Sequence, residues 1–436
     1  MKMFDYNTRA SKFKFQGEVI VPGDKSIAHR AIAFGALANG VTQISNFSYS
    51  DDLTVTAQVF KELGAKIHTE LSTKDMIIKG TGHKLQSLDH SLNIDNVGTL
   101  ESILLGILTT STNEYTIAGG DYLSKRPLER LVKLLTAMGG SFQPIGEDAL
   151  PVKTKGSHDL KGITYQQDIS SAQIKSGLVF AGIYAKTPTT IIRKLPTRDH
   201  TEVLANFFGA NVVTTPETIT VNPAHTNLKG QSLTIPGDFS SAALYIAGAL
   251  LSEGSEIHLP KVGLNSTRIG MLNVAKQMGA HITVENCSIN SVEPYGDLVI
   301  RSQQLHGTKI SAKQVQFIID EIPIIALMAS QATGTTVIEG IHDVHLQLSD
   351  RIRNMRVELA KLGIVMQVND DSIVIKGEQK IKVKDDVDSH NDHRIAMMLC
   401  IASILTETPF KIKNIESIDI SYPNFLSDLK KISVAK

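Results

Sequence analysis

Apolar residues recur at helical spacing along the whole chain, and several of the stretches that carry them end at a glycine. In PLERLVKLLTAMGG and STRIGMLNVAKQMGA the apolar side chains lie mostly three or four positions apart, which is typical of an amphipathic helix. A glycine directly after such a helix suits the left-handed conformation in which many helices end. The glycines that end these predicted helices, at similar intervals, are Gly64, Gly139, Gly209, Gly279 and Gly363.

A second set of predicted helices is more apolar, and each of its members follows a polar cluster, as GDKS precedes the stretch AIAFGALANG. The clusters begin at Gly23, Asn96, Ile169, Pro236, Ile319 and His390. Stretches such as AKIHTEL and AHITVEN, which follow the terminating glycines, predict strands. The pattern therefore predicts a repeated unit of strand, helix, strand, helix and paired strands, present six times and truncated in the last copy after Tyr422-Pro423-Asn424.

Units of this length are longer than the repeats of most solenoids, so we expect two globular α/β domains of three units each. The midpoint of the repeat falls near Pro236-Gly237. The alternative, if the similarity between units is accidental, is an ordinary doubly wound α/β fold.

The composition is ordinary for a soluble globular protein and points to no special class of partner. The 436 residues contain 44 Lys and Arg against 44 Asp and Glu, so the net charge gives no reason to expect nucleic acid or a membrane surface as partner. Cys287 and Cys400 fit neither a disulfide framework nor a metal site. No secretory signal, transit peptide or transmembrane run is recognisable, and a cytoplasmic location is expected.

The polar clusters contain most of the candidate site residues, because a helix N-terminus offers free N–H groups and a positive dipole end to phosphate or carboxylate. The first cluster has Lys25, Ser26 and Arg30, although a lysine and an arginine near a helix start are more often solvated surface charges. Further cations and carboxylates follow along the chain. They are Lys125-Arg126, Lys175 after Ser171-Ala172-Gln173, Arg198 with Glu202, Asp320-Glu321, Ser349-Asp350-Arg351 and Asn391-Asp392-His393-Arg394.

Simpler interpretations remain open for several of these residues. Arg198 and Glu202 have the spacing of an i,i+4 helix pair. Asp320 and Glu321 are adjacent, so only one of them needs to face a site. The spacing around His390 matches no common metal-ligand set, so no metal is expected. The sequence contains no GxSxG motif, which argues against a serine hydrolase. No cofactor is expected.

In this order, four motifs resemble the class II branch of the EPSP synthases (3-phosphoshikimate 1-carboxyvinyltransferases). The motifs are Gly23-Asp24-Lys25-Ser26, Ser171-Ala172-Gln173-Ile174-Lys175, Arg198-Asp199-His200-Thr201-Glu202 and Asn265-Ser266-Thr267-Arg268. The resemblance runs from about Val19 to Phe425 and implies an enolpyruvyl transferase-like fold of two domains, each with three βαβαββ repeats, and an active site in the cleft between the domains. Residues 1–21 would join 238–436 in one domain, and 22–237 would form the other.

The resemblance also implies a reaction and a set of ligands. The family transfers the enolpyruvyl group of phosphoenolpyruvate to the 5-hydroxyl of shikimate 3-phosphate in the shikimate pathway, without a cofactor, and a monomer is expected. It implies catalytic roles for Lys25 and Asp320, with Asp320 as the base. The residues implied for shikimate 3-phosphate are Lys25, Ser26, Arg30, Ser171, Ala172, Gln173, Arg198, Asp320 and Gln347. The residues implied for phosphoenolpyruvate are Lys25, Gly98, Arg126, Arg351 and Arg394.

Four positions depart from the family pattern. Gln347 and Ile420 stand where lysines are usual, and Ser102 stands where an arginine is usual. Leu348 replaces a glutamate thought to shuttle a proton, which leaves Lys25 as the expected acid. Gly98 keeps the small residue of glyphosate-sensitive enzymes, whereas the four motifs indicate tolerance.

These departures leave two alternatives to an active EPSP synthase. One is a related enolpyruvyl transferase with another acceptor, such as the enzyme that acts on UDP-N-acetylglucosamine, although the N-terminal Lys-Asn motif of that enzyme is absent. The other is a non-catalytic protein that keeps phosphate ligands and has lost proton-transfer groups.

Overall fold

A computed structural model describes residues 6–8, 11–223 and 228–435 of the chain, without the side chains of residue 6 and of residues 343–349. The chain divides into two compact units. Unit 1 contains Met1–Pro22 and Pro236–Lys436, and unit 2 contains Gly23–Ile235. Among the residues described, no helix is long and apolar enough to cross a membrane.

Unit 1 begins with two strands and unit 2 follows with its own elements. The strands are β1 (Tyr6–Asn7) and β2 (Phe13–Glu18). Unit 2 contains, in chain order, α1 (Lys25–Leu37), β3 (Val41–Ser45), α2 (Asp51–Glu62), β4 (Lys66–Glu70), β5 (Asp75–Lys79), β6 (Leu92–Asn93), α3 (Gly98–Leu108), β7 (Glu114–Ala118), α4 (Asp121–Ser124), α5 (Glu129–Met138), β8 (Ser141–Pro144), β9 (Val152–Lys155), β10 (Thr164–Gln166), α6 (Ala172–Ile183), β11 (Thr189–Ile192), α7 (His200–Phe207), β12 (Asn211–Thr214), β13 (Thr218–Asn222) and β14 (Ser232–Thr234).

The remainder of unit 1 continues from α8. Its elements are α8 (Phe239–Leu251), β15 (Glu256–Gly263), α9 (Gly270–Gln277), β16 (Ile282–Ser288), β17 (Tyr295–Arg301), β18 (Lys309–Ile310), α10 (Ala312–Val315), α11 (Ile322–Gln331), β19 (Thr335–Glu339), α12 (His342–Lys361), β20 (Gln367–Val368), β21 (Ser372–Lys376), β22 (Val387–Asp388), α13 (His393–Ser403), β23 (Lys411–Lys413), a 3-10 helix (Ile415–Ile420), α14 (Phe425–Ile432) and β24 (Ser433–Ala435).

The sheets of unit 2 share one topology. Their strand orders are β14-β3-β5-β4, β6-β7-β9-β8 and β10-β11-β13-β12. In each sheet the first two strands are parallel and the other two pairings are antiparallel. Parallel neighbours require a crossover, and a buried helix provides it within the second and third repeats. In the first repeat, the strand that pairs with β3 is β14, from the far end of the unit.

The sheets of unit 1 repeat the same arrangement with one variation. Strand β2 pairs in parallel with β15 in a sheet completed by three antiparallel pairings. Strand β18 pairs in parallel with β19 in a sheet completed by two antiparallel pairings. In the last repeat, β22 is parallel to β23, and β1 from the N-terminal segment pairs with β23. The predicted fold class and its six repeats, with a truncated sixth, are confirmed.

The helix ends lie where the sequence pattern placed them, because they depend on local chemistry. The five glycines that end the amphipathic helices have φ between +79° and +117°, the left-handed region in which a side chain is unfavourable. At the other end of the apolar helices, Asp24, Ser171, Asp238 and Asp392 each accept a hydrogen bond from a backbone N–H of the first turn.

Each unit buries three helices, one from each repeat. In unit 2, α1, α3 and α6 pack together, with Phe34 stacked on Phe180 at a centroid distance of 4.4 Å. Gly106 of α3 lies so close to Gly177 of α6 that an added Cβ would be 2.2 Å from the carbonyl oxygen of Gly177. In unit 1, α8, α11 and α13 pack against one another in the same way. The polar clusters that open these helices are therefore the candidate site of each unit.

Candidate active site

Arg30 lies inside unit 2 and donates hydrogen bonds to polar groups there. Its guanidinium donates to the hydroxyl of Thr201 at 2.6 Å, the carbonyl of Ser26 at 2.7 Å and the hydroxyl of Ser176 at 3.0 Å. The interpretation as a solvated surface charge is wrong for Arg30, because this residue is buried on α1 and donates to interior hydroxyl groups. Arg30 thus links α1 to α6 and α7.

Lys25 occupies the first position of α1 and forms an ion pair with Asp52 at 2.6 Å. Both side chains keep 17% of their surface exposed, so the ammonium group is held in place and remains accessible. The neighbouring His29 is buried, and burial together with Lys25 and Arg30 lowers its pKa well below the ordinary range. His29 is therefore neutral.

Arg126 approaches the N-terminus of α3 because residue 98 is a glycine. Its guanidinium donates to the amide oxygen of Gln173 at 2.5 Å. A Cβ at residue 98 would be 2.8 Å from the nearer guanidinium nitrogen. The structure thus brings together Gly98 and Arg126, assigned to phosphoenolpyruvate by the resemblance, with Gln173, assigned to shikimate 3-phosphate.

Ser171 and Ala172 form the N-terminus of α6, where Ser171 is the capping residue and Ala172 the first helical residue. Lys175, the fourth residue of the helix, is buried and pairs with Glu202 at 2.7 Å. Lys175 also donates to the backbone carbonyl of Arg198 at 2.5 Å. Burial lowers the pKa of Lys175, and the charge of Glu202 opposes that shift. The buried pair fixes the loop that carries Arg198 next to the start of α6.

Arg198 precedes α7, which begins at His200, so the helix-pair interpretation of Arg198 and Glu202 is wrong. The partner of Glu202 is instead Lys175.

In unit 1, arginines surround the carboxylate of Asp320. Arg394 lies 3.0 Å away, Arg351 lies 3.6 Å away and Arg268 lies 3.7 Å away, measured from guanidinium nitrogen to carboxylate oxygen. The adjacent Glu321 points elsewhere, is buried, and accepts a hydrogen bond from Ser240 at 2.5 Å. Of the two neighbouring carboxylates, Asp320 is the one at the arginine cluster, and a small cavity lined by Ser240, Asp320 and Arg394 adjoins it.

Asp392 orients two of these arginines, Arg351 and Arg394. Its carboxylate accepts a hydrogen bond from Arg351 at 2.6 Å and another from the backbone N–H of Arg394 at 2.8 Å. Burial alone would raise the pKa of Asp392, but the charges of Arg351 and His393 outweigh burial and lower it to about 2. Arg351 and Arg394 are held at the start of α13 by one ionised carboxylate.

The departures from the family pattern are only partly visible. The side chains of Gln347 and Leu348 lie outside the described residues. Ser102 is buried on α3, and its hydroxyl is 3.5 Å from the carbonyl of Gly98. Ile420 is half-buried at the end of the 3-10 helix.

Sequence reasoning missed the partners of these residues. Asp52, Ser176 and Thr201 hold Lys25 and Arg30 from distant parts of unit 2. Arg268 belongs to a motif that the sequence does show, but nothing in the sequence places its guanidinium beside Ser240 and Asp320. Across the described ranges, no group of three or more His, Cys, Asp or Glu side chains is arranged to hold a metal ion.

Comparisons with known proteins agree with this architecture. The family model of EPSP synthase (3-phosphoshikimate 1-carboxyvinyltransferase) matches residues 10–429. A 3-phosphoshikimate 1-carboxyvinyltransferase from Leuconostoc mesenteroides is 41% identical over 98% of both chains. One from Bacillus velezensis is 40% identical over 96% of this chain and 97% of its own.

Solved structures give the same result. An EPSP synthase from Acinetobacter baumannii superimposes with a TM-score of 0.87 at 35% identity, over 100% of this chain and 99% of its own. The enolpyruvyl transferase NikO from Streptomyces tendae shares the fold at a TM-score of 0.79 and 16% identity, over 100% of both chains.

Six βαβαββ repeats in two units, with arginine clusters at the N-termini of buried helices, define a transferase of the enolpyruvyl transferase fold. Within that class, the match over nearly the whole length decides the family. The chain belongs to the EPSP synthase family.

Proposed function

We propose that this protein transfers the enolpyruvyl group of phosphoenolpyruvate to the 5-hydroxyl of shikimate 3-phosphate and releases phosphate. The observation that carries the proposal is the carboxylate of Asp320 among Arg268, Arg351 and Arg394, in a family named for 1-carboxyvinyl transfer to 3-phosphoshikimate. This arrangement offers a base beside cations that suit a carboxylate and a phosphate.

The 3-phosphate is proposed to bind at the start of α6. Ser171 and Gln173 supply polar side chains, Ala172 lies where free backbone N–H groups and the positive dipole end favour an anion, and Arg198 supplies a charge. The Lys175–Glu202 pair supports this assignment because it fixes the backbone of Arg198 beside α6. Ser26 and Arg30, at the start of α1, remain the predicted contacts of the ring.

The 5-hydroxyl is proposed to lose its proton to Asp320. The surrounding arginines favour the ionised carboxylate, which is the form that can accept a proton. When an anionic substrate binds Arg351 and Arg394, it offsets part of their positive charge, and Asp320 becomes a stronger base. The hydroxyl oxygen then attacks the C2 atom of phosphoenolpyruvate.

The methylene carbon of phosphoenolpyruvate must gain a proton in the same addition, and Lys25 is proposed as the donor. Its ammonium is oriented by Asp52 and remains partly accessible. The addition gives a tetrahedral intermediate, which loses phosphate and a methyl proton to restore the double bond. Gly98 and Arg126 are the further predicted contacts of phosphoenolpyruvate in unit 2.

Measuring phosphate release from shikimate 3-phosphate and phosphoenolpyruvate tests the proposal, and Asp320→Asn tests the base. We expect the variant to lose turnover by roughly 100-fold or more, the ordinary contribution of a general base, while calorimetry still detects shikimate 3-phosphate binding. Asp159→Asn is the matched control, since its exposed carboxylate pairs with Lys186 and belongs to none of the candidate site clusters. That control should keep wild-type turnover.

Two outcomes would contradict the proposal. Wild-type protein that binds shikimate 3-phosphate without releasing phosphate would indicate a non-catalytic protein. Phosphate release with a different acceptor and none with shikimate 3-phosphate would indicate a related transferase. Unchanged turnover of Asp320→Asn would remove Asp320 from the mechanism.

A further inference from the structure

Glu101 is a buried carboxyl group for which the proposed mechanism has no use. It lies in the first turn of α3 and is 2% exposed. Within the described part of the chain, its Oε1 atom has no hydrogen-bond partner. A buried carboxyl oxygen without a hydrogen-bond partner is costly, so its presence requires a physical explanation.

Glu101 belongs to the same face of α3 as Gly98, because residues three apart on a helix are neighbours. Gly98 is the residue against which the guanidinium of Arg126 packs. Glu101 therefore lies one turn inside the helix from the contact between Gly98 and Arg126. The following residue, Ser102, brings no positive charge to this helix.

The charges around Glu101 single out Arg126. Helix α3 packs against α1, α5, α6 and β9 and carries no other charged residue. The titratable and charged groups on those elements are Lys25, His29, Arg30, Glu129, Arg130, Lys133, Lys153, Lys155 and Lys175. Lys25 is paired with Asp52, Arg130 with Asp168, Lys153 with Glu114 and Lys175 with Glu202. Among the described residues, the charge that acts on Glu101 is Arg126.

We propose that Glu101 is a positioning residue for Arg126, and that its carboxyl proton is coupled to the binding of the anionic substrate at Arg126. When Glu101 is neutral, the full positive charge of the Arg126 guanidinium attracts the anionic substrate. When Glu101 is ionised, its negative charge offsets part of that positive charge and weakens the attraction. Because coupling between two sites is reciprocal, substrate on Arg126 favours the protonated carboxyl by the same factor. The inference rests on the proposed function, since it assigns phosphoenolpyruvate to Arg126.

The ionisation of Glu101 falls in a useful range of pH. Burial raises the pKa of Glu101 to about 7, and the charge of Arg126 limits the rise. Glu101 is therefore mostly neutral at pH 6 and mostly ionised at pH 8.5. Since the ionised form weakens the anion site, affinity for phosphoenolpyruvate should fall as the pH rises through about 7.

Steady-state kinetics from pH 6 to 8.5 at saturating shikimate 3-phosphate test the coupling. We compare the wild type with Glu101→Gln, which mimics the neutral carboxyl, and with Glu129→Gln, which removes an exposed carboxylate at the start of α5. The ratio of the wild-type KM for phosphoenolpyruvate to that of Glu101→Gln should rise about fivefold across this range, with little change in kcat. Glu129→Gln should follow the wild type.

The ionisation of phosphoenolpyruvate also changes KM with pH, but it affects all three proteins equally. Its effect therefore cancels in the ratio of KM values measured at the same pH. A constant ratio between wild type and Glu101→Gln would overturn the inference. A change confined to kcat would overturn it equally, because Arg126 would then not transmit the effect through binding.

A titration of Glu101 in the absence of substrate tests this inference separately from the proposed function. Carbon-13 NMR of labelled glutamate carboxyls identifies the Glu101 signal by its absence in Glu101→Gln. We expect Glu101 to titrate near pH 7, and at a higher pH in Arg126→Met, because the positive charge is then absent. Titration in the ordinary carboxyl range, or no change in Arg126→Met, overturns the inference. Absence of phosphate release with this titration intact overturns only the proposed function.

Discussion

Lys175 and Glu202 form an ion pair whose side chains are 1% and 4% exposed. Removing two charges from water is costly, and their mutual attraction offsets the cost only when both are present. Lys175 also donates to the carbonyl of Arg198, so the pair has a use beyond stability: it fixes the loop proposed to bind the 3-phosphate. A single substitution should therefore destabilise the protein more than the double substitution does.

Lys175→Met should lower the free energy of unfolding by about 3–5 kcal/mol, because it leaves Glu202 buried without a counter-charge. The double variant Lys175→Met, Glu202→Leu should recover most of this loss, since no buried charge remains. Equilibrium urea unfolding followed by circular dichroism measures both. Equal destabilisation in the single and double variants would show that the hydrogen bond to Arg198, and not charge burial, dominates.

At the scale of residues, the sequence indicated which cations to consider and could not indicate their partners. Arg30 and Thr201 are 171 positions apart, and no local pattern joins them. Glu101 lay in a stretch that predicts an apolar helix, where a single carboxyl is easily assigned to the surface. Its burial follows from the packing of α3 against α6, which sequence spacing does not reveal.

At the scale of elements, glycine serves two different purposes in this fold. Gly209 ends α7 with φ of +100°, and an added Cβ would meet no atom within 4 Å. Gly106 lies inside α3, where an added Cβ would overlap the backbone of Gly177. The first glycine is needed for its backbone conformation and the second for close helix packing.

Alanine at these two positions should have different consequences. Gly209→Ala should cost about 1–2 kcal/mol of stability, the strain of a left-handed alanine. Gly106→Ala would gain helix propensity, but the forced separation of α3 and α6 should leave a net loss of about 2–3 kcal/mol. Thermal unfolding measures both losses. The KM for phosphoenolpyruvate should rise only in Gly106→Ala, because a shift of α3 would also move Gly98, a predicted contact of this substrate. Equal KM values in the two variants would argue against a shift of α3.

Helix ends were predictable because capping depends on a few adjacent residues, as the positive φ of the terminating glycines shows. Strand pairing was less predictable. Strand β14 has only three residues and pairs with β3, which lies nearly the whole unit away in sequence. Short strands of this kind acquire their structure from the sheet that they join, not from local propensity.

At the scale of the molecule, unit 2 is a continuous segment that contains every strand of its three sheets. The fragment Gly23–Ile235 should therefore fold alone and unfold cooperatively in urea. A fragment that ends at Gly230 lacks β14, leaves an edge of β3 unpaired and should be less stable. A non-cooperative transition of the longer fragment would show that unit 2 depends on unit 1.

The placement of β2 has a consequence for the newly made chain. Its parallel partner β15 and its antiparallel partner β24 both follow unit 2 in sequence. Because the ribosome synthesises the chain from the N-terminus onwards, β2 has no strand to pair with until unit 2 has been made. Unit 2 can fold during this time. Strand β2 is thus synthesised before unit 2 but is among the last to join its sheet, and β24, at the end of the chain, completes that sheet.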